Sequence, residues 1–357
     1  MTAGNIGITL KMPYDQLGEY ARRAEDAGFS TVWVSETSRD SMIQAAVVLQ
    51  STDTVDVGTS ITVAFPRSPT VTAMQAWDLD EIGGGRFILG LGSQVRRIIE
   101  ERYSAEFDRP AARMAEYIQA MRAVWGMEQG ERTTFEGEIY RVLRPSLSGY
   151  GSSRDRSMPR VHVAAVGPLM TRAAATYADG ILGHPFTSVP YLLDHVIPKV
   201  EEALGRAGRS RNEFAIRQGV ITSVSDDREQ AYREAKLQIA FYGTTPNYRP
   251  VFASCGDGHL TDVLRDTWKR SKQNPDALID VMPDEAVERY AVAGTPAEVR
   301  DRLAEIVQHA DEVMLGSVWW QIDSARMAEN NAAIIETFAG RSPRGTSNPD
   351  EGTAPVP

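Results

Sequence analysis

Two side chains carry proton-transfer chemistry at places where a fold can use it. Glu36 follows the β-type run 31–35 (TVWVS), and His184 follows the short apolar run 180–182 (GIL). A carboxylate and an imidazole at strand ends are candidates for general acid and base work. A third feature is Val166-Gly167-Pro168, where an apolar run passes into a helical pattern. Free backbone N–H groups at a helix start bind phosphate, and glycine lets the chain approach closely. Gly90-Leu91-Gly92 carries two glycines of a dinucleotide loop, but Val95 stands where the third belongs. His162, His195, His259 and His309 take structural readings. The single cysteine, Cys255, permits neither an internal disulfide nor a Cys-based zinc site, and no metal site is read.

Composition narrows the class. The chain has 357 residues, with 38 Lys+Arg against 48 Asp+Glu for a net charge of −10. Hydrophobic residues at 42% and charged residues at 24% supply a large core and exclude disorder for most of the chain. An acidic whole disfavours nucleic acid, because phosphate contact needs a basic face. Apolar runs fall short of the roughly 18 residues of a membrane span. No basic stretch followed by an apolar one opens the chain, so a cytoplasmic location is expected.

These residues need elements to hold them. Apolar β-type runs alternate with helical patterns along the chain. Strands are expected at about 6–10, 31–35, 55–63, 87–91, 161–165, 180–182, 214–224 and 311–318. Helix punctuation fits between them: Gly28 and Gly83-Gly84-Gly85 as stops, Pro69 and Thr295-Pro296-Ala297-Glu298 as starts, Asp226 as an N-cap. Eight strands and eight helices point to an α/β fold, a single (β/α)8 barrel, with a doubly wound sheet as the alternative. The barrel spans 1–340, with insertions at about 127–158 and 243–293. The first insertion holds a hairpin around Glu136-Gly137, and 341–357 is a disordered tail. Strand ends in a barrel form the active mouth.

Five separated segments carry a family resemblance: 27–36 (AGFSTVWVSE), 58–62 (GTSIT), 84–93 (GGRFILGLGS), 164–168 (AAVGP) and 178–182 (ADGIL). Their order and spacing resemble the bacterial luciferase-like flavin and deazaflavin oxidoreductases over about residues 5–338. Segments 60–69 (SITVAFPRSP) and 184–187 (HPFT) look most like the branch dependent on coenzyme F420.

The resemblance implies F420 at the mouth of a luciferase-like TIM barrel, with FMN as the alternative cofactor. It implies a non-proline cis peptide at Ser60-Ile61, followed by Thr62, backing the cofactor ring. It implies Gly92, Ser93 and Gln94 beside the ring, and Ala165, Val166, Gly167 and Met170 at the cofactor phosphate. Arg96, Arg97, Arg102 and Arg172 would supply positive charge for the anionic tail. Alcohol-oxidising relatives carry a histidine where this chain has Thr37, and an acid where it has Val95. That departure favours a reductase of a C=C or C=N bond, with Glu36 and His184 as catalytic candidates. Thr37, Trp319 and Trp320 would contact a small apolar or aromatic substrate, with Tyr242, Tyr248 and Phe252 completing an apolar wall. A homodimer is implied. A flavin monooxygenase and a barrel without chemistry are the other readings.

Overall fold

The computed structural model describes residues 5–340 except 130, 132 and 145–156; the expected tail and part of the first insertion lie outside these. Eight parallel strands form the barrel. They are Asn5–Leu10, Thr31–Val34, Asp56–Thr59, Phe87–Gly92, Arg160–Ala164, Gly180–Gly183, Ala215–Val224 and Glu312–Ser317. Val, Ile and Leu dominate them because both faces are buried, one against helices and one inside the barrel. The first strand pairs with the second (Ile8 opposite Val32) and with the eighth (Gly7 opposite Met314). The seventh closes the ring, pairing with the sixth (Ile216 opposite Ile181) and the eighth (Gly219 opposite Met314).

Side chains from alternate strands fill the interior in layers. Trp33, Ile88, Leu182 and Met314 form one such layer, from the second, fourth, sixth and eighth strands. Trp33 needs room: a Cβ on Gly58 would lie 2.2 Å from its ring, so only glycine fits beside it. The Trp33 indole donates to Glu312 at 2.6 Å, and Thr31 donates to the same carboxylate at 2.9 Å. Arg217 completes the cluster by pairing with Glu312. The floor of the barrel is therefore a plug with its charges matched.

The structure departs from sequence expectation at four points. The third strand, expected to run unbroken over 55–63, is interrupted: Asp56–Thr59 ends at the cis Ser60–Ile61 bond that the family resemblance implied, and Thr62–Val63 resumes pairing with the fourth strand. Asp227, not Asp226, caps the helix Arg228–Gly243, accepting from the N–H groups of Glu229 and Gln230. The helix beginning near Pro190 passes through a π-helical turn, Leu192–Val196, before Ile197–Ala207. The second insertion contributes an additional strand, Ala291–Gly294, which pairs with the upper half of the seventh strand (Ile221 opposite Ala291). Three other local expectations hold. Gly84 and Gly85 take positive φ after the third helix, Thr295 and Glu298 form a capping box, and Phe135–Glu136 pairs with Arg141–Val142 as a hairpin.

A main core lies between barrel and helices, and a second core lies under the later insertion, built on Phe186, Phe252, Leu264 and Tyr290. That second core roofs one side of the mouth. No helix among the described residues is long and apolar enough to cross a membrane.

Candidate active site

The carboxyl ends of the strands surround a cavity of about 280 Å³. Of the residues singled out from sequence, Glu36, Thr37, Ser60, Ile61, Gln94, His184, Tyr242 and Trp319 line it.

Glu36 lies at the start of the loop after the second strand and is buried. Its Oε1 accepts from Arg67 Nη1 at 2.8 Å and from the Tyr103 hydroxyl at 3.2 Å. Its Oε2 accepts from the Val63 N–H at 3.0 Å and from Ser41 Oγ at 3.2 Å. Arg67 also pairs with Asp40 at 2.7 Å. The carboxylate thus ties the second strand to the resumed third strand just past the cis bond. Burial and the neighbouring Glu36 charge push the Tyr103 phenol upward. Arg67 and Tyr103 escaped sequence reading, because only the folded chain brings them to Glu36.

His184 stands between this cavity and a smaller one containing Ala165 and Val166. Its Nδ1 accepts the Phe186 N–H at 3.1 Å, which assigns the ring proton to Nε2, 3.0 Å from the Tyr248 hydroxyl. The ring packs edge-on against Tyr242 with centroids 4.6 Å apart. Desolvation lowers the His184 pKa to about 4, so the imidazole is neutral at physiological pH. Burial also raises the Tyr248 hydroxyl to about 12.

The remaining expected cofactor residues lie apart from the main cavity. Thr62 is wholly buried, its hydroxyl 2.8 Å from Ser41. Gly92 sits against Ile61: a Cβ there would come within 2.1 Å of Ile61 Cδ1, so glycine lets that side chain lie flat at the bulge. Ser93 donates to the Gln94 carbonyl at 3.2 Å. Gly167 caps the helix Pro168–Tyr177, with open space where a Cβ would stand. Gly167 and Met170 line an outer groove with Arg109 and Arg172. A flat apolar bulge, a helix start with free N–H groups and Arg172 along a groove suit a planar ring with an anionic tail.

Two expectations need correction. Trp320 does not line the cavity; it packs on Phe241 and Trp268 at centroid distances of 5.5 and 5.7 Å. Phe252 belongs to the second core in the same way. The arginines after the fourth strand form no free positive patch. Arg96 and Arg97 pair with Glu100 and Glu101 one turn on, at 2.7 and 2.9 Å, and Arg102 is tied to the Thr37 carbonyl.

Two cavity residues were missed. Lys11 leaves the first strand and projects its ammonium over the Trp319 ring, 4.6 Å from the centroid. Gln238 uses its Oε1 to accept both the Trp319 and Trp320 N–H groups at 3.1 Å, leaving its buried Nε2 without a hydrogen bond. The only sequence signal was Lys11 directly following an apolar strand.

Known proteins bear on this geometry. Residues 2–312 match the family model for luciferase-like monooxygenases. The chain is 36% identical over 297 residues to an uncharacterized protein of Mycobacterium tuberculosis, covering 80% of this chain and 86% of that one. It is 30% identical over 309 residues to the F420-dependent glucose-6-phosphate dehydrogenase of Intrasporangium calvum, covering 82% and 85%. The solved coenzyme F420-dependent tetrahydromethanopterin reductase of Methanopyrus kandleri superposes with a TM-score of 0.73 at 22% identity, covering 94% of this chain and all of that one. Closed barrel, interrupted third strand and family model agree: the chain belongs to the luciferase-like monooxygenase family and is an oxidoreductase.

Proposed function

We propose that the chain transfers hydride from reduced coenzyme F420 to a C=C or C=N bond of a small apolar or aromatic metabolite. The observation that carries the direction is that both candidate bases are already engaged. Glu36 accepts from four donors, and His184 spends its lone pair on the Phe186 N–H. Oxidising an alcohol requires a base for the hydroxyl proton. Reducing an activated double bond asks only for a weak acid or water.

When bound, reduced F420 supplies the hydride; the chain supplies orientation and electrostatics. Ser60, Ile61 and Gln94 would form the surface for the ring, with Thr62 and Gly92 supporting it from behind and Ser93 beside Gln94. Ala165, Val166, Gly167 and Met170 would hold the phosphate, with Arg172 beside the tail; Arg109 in the same groove is already paired with Asp108 and Glu138. Glu36 acts as a positioning residue for the bulge, and His184 shapes the pocket as a neutral ring. Thr37 and Trp319 flank the substrate. A homodimer belongs to the same reading, supported by exposed Ile43, Val71 and Met74 on neighbouring helices. So does a cytoplasmic location.

The test is anaerobic mixing of the chain with reduced F420 and a panel of α,β-unsaturated carbonyls and imines. Reappearance of oxidised F420, stoichiometric with reduced product, is expected. Oxygen-dependent turnover with reduced FMN alone would instead establish the monooxygenase reading, and inertness with both cofactors a barrel without chemistry.

A further inference from the structure

Around the barrel, the residues assigned to the cofactor leave strands three, four and five. Lys11 and Trp319 leave strands one and eight, which are neighbours in the sheet and belong to the opposite arc of the ring. Lys11, Gln238, Tyr242 and Trp319 all line the same cavity there.

This group of side chains is rich in donors and short of acceptors. Among the described residues Lys11 makes no ion pair; its ammonium rests on the Trp319 ring. Gln238 is 2% exposed, and its Nε2 makes no hydrogen bond, although the Tyr242 hydroxyl lies beside it. The one carboxylate in the cavity wall, Glu36, is committed to Arg67. His184, facing the cavity from the sixth strand, is neutral and offers no compensating charge. A half-buried ammonium with no counter-charge and a buried amide donor are costly unless an acceptor meets them. The rest of the wall mixes apolar Ile61, Ile221 and Met314 with uncharged polar side chains, Thr9, Ser35, Gln94 and Ser317 among them, and adds no further carboxylate.

We propose that Lys11 and Gln238 form the anchor for a carboxylate on the substrate, so that the metabolite is an apolar or aromatic body bearing one carboxylate. The inference deepens the reductase reading and rests on its assignment of the Trp319 side of this cavity to the substrate, with the cofactor ring on the Ser60-Ile61 side. A carboxylate offers an oxygen to each donor and neutralises the ammonium, which a neutral carbonyl does not. Burial lowers the Lys11 pKa to about 8, so the anchor stays mostly cationic at pH 7 and gains from an anion.

The experiment uses the chain without cofactor, so its outcome is separate from the F420 result. Calorimetric titration compares trans-cinnamate with its neutral amide, on wild type and on Lys11→Met and Lys11→Arg. Wild type is expected to prefer cinnamate at least tenfold; Lys11→Met abolishes the preference, and Lys11→Arg restores part of it. Amine acylation followed by mass spectrometry gives a second readout on wild type: cinnamate should protect Lys11 and leave surface lysines reactive. Equal affinity for acid and amide, absence of binding by either, or Lys11 labelling unchanged by cinnamate would overturn the proposal.

Discussion

The two walls of the cavity handle polar groups in opposite ways. On the side of strands two and three, every Glu36 oxygen has two donors, and the Arg67 guanidinium spans two carboxylates and a backbone carbonyl. On the side of strands eight and one, the Lys11 ammonium rests on the Trp319 ring with no carboxylate partner among the described residues, and the buried Gln238 Nε2 makes no hydrogen bond. A saturated cluster holds its own shape, while an unsaturated one stores binding capacity for a ligand. The floor of the barrel resembles the saturated wall, with Glu312 bonded to Thr31, Trp33 and Arg217. Structure occupies the charges at the base and on one wall, leaving the other wall for recognition.

The largest effect should come from breaking the saturated wall. Glu36→Ala removes one of the two carboxylates that hold a mostly buried guanidinium and leaves the Val63 N–H unpaired, and should cost about 2–3 kcal/mol in a urea unfolding titration. Lys11→Met, on the opposite wall, should change stability by no more than about 1 kcal/mol, since lost cation–π contact is offset by removal of a desolvated charge. Equal losses in the two variants would erase the distinction between the walls.

A second effect is acid sensitivity. His184 titrates near 6.5 when unfolded and near 4 when folded, so the unfolded chain takes up the proton first. Stability should therefore fall as pH drops through that window and stop falling from this source below about 4. Burial lowers His162 well below its usual value and acts in the same direction. Urea titrations at stepped pH should show a shallower slope for His184→Asn, with the His162 part remaining. A slope identical to wild type would mean that His184 is not held neutral.

The smallest effect belongs to the arginines beyond the fourth strand. Arg97 is exposed and paired only with Glu101 one turn on, so Arg97→Ala should leave the urea unfolding midpoint unchanged within error. A measurable shift would give this helix a place in the site's framework.

Alternation of β-type and helical patterns was enough to read the barrel, because strands buried on both faces leave continuous apolar runs. Boundaries slipped where local signals compete: two adjacent aspartates precede Arg228, and either could cap that helix. The break in the third strand has no local signature, since 55–63 reads as one continuous strand; only the family resemblance pointed to Ser60-Ile61. Glu36 and His184 were legible as strand-end residues, but the donors that commit them were not, as Arg67, Tyr103 and Tyr248 arrive through tertiary folding. Lys11 went unread for the same reason. Its burial depends on Trp319, at the other end of the chain.

The central claim is that this mouth holds a deazaflavin. Oxidised F420 is fluorescent, and titrating it with the purified chain at equilibrium tests that claim with no assumption about substrate. Saturable quenching at one F420 per chain, with weaker binding of FMN, is the predicted result. Saturable binding of FMN with no response from F420 would contradict the account.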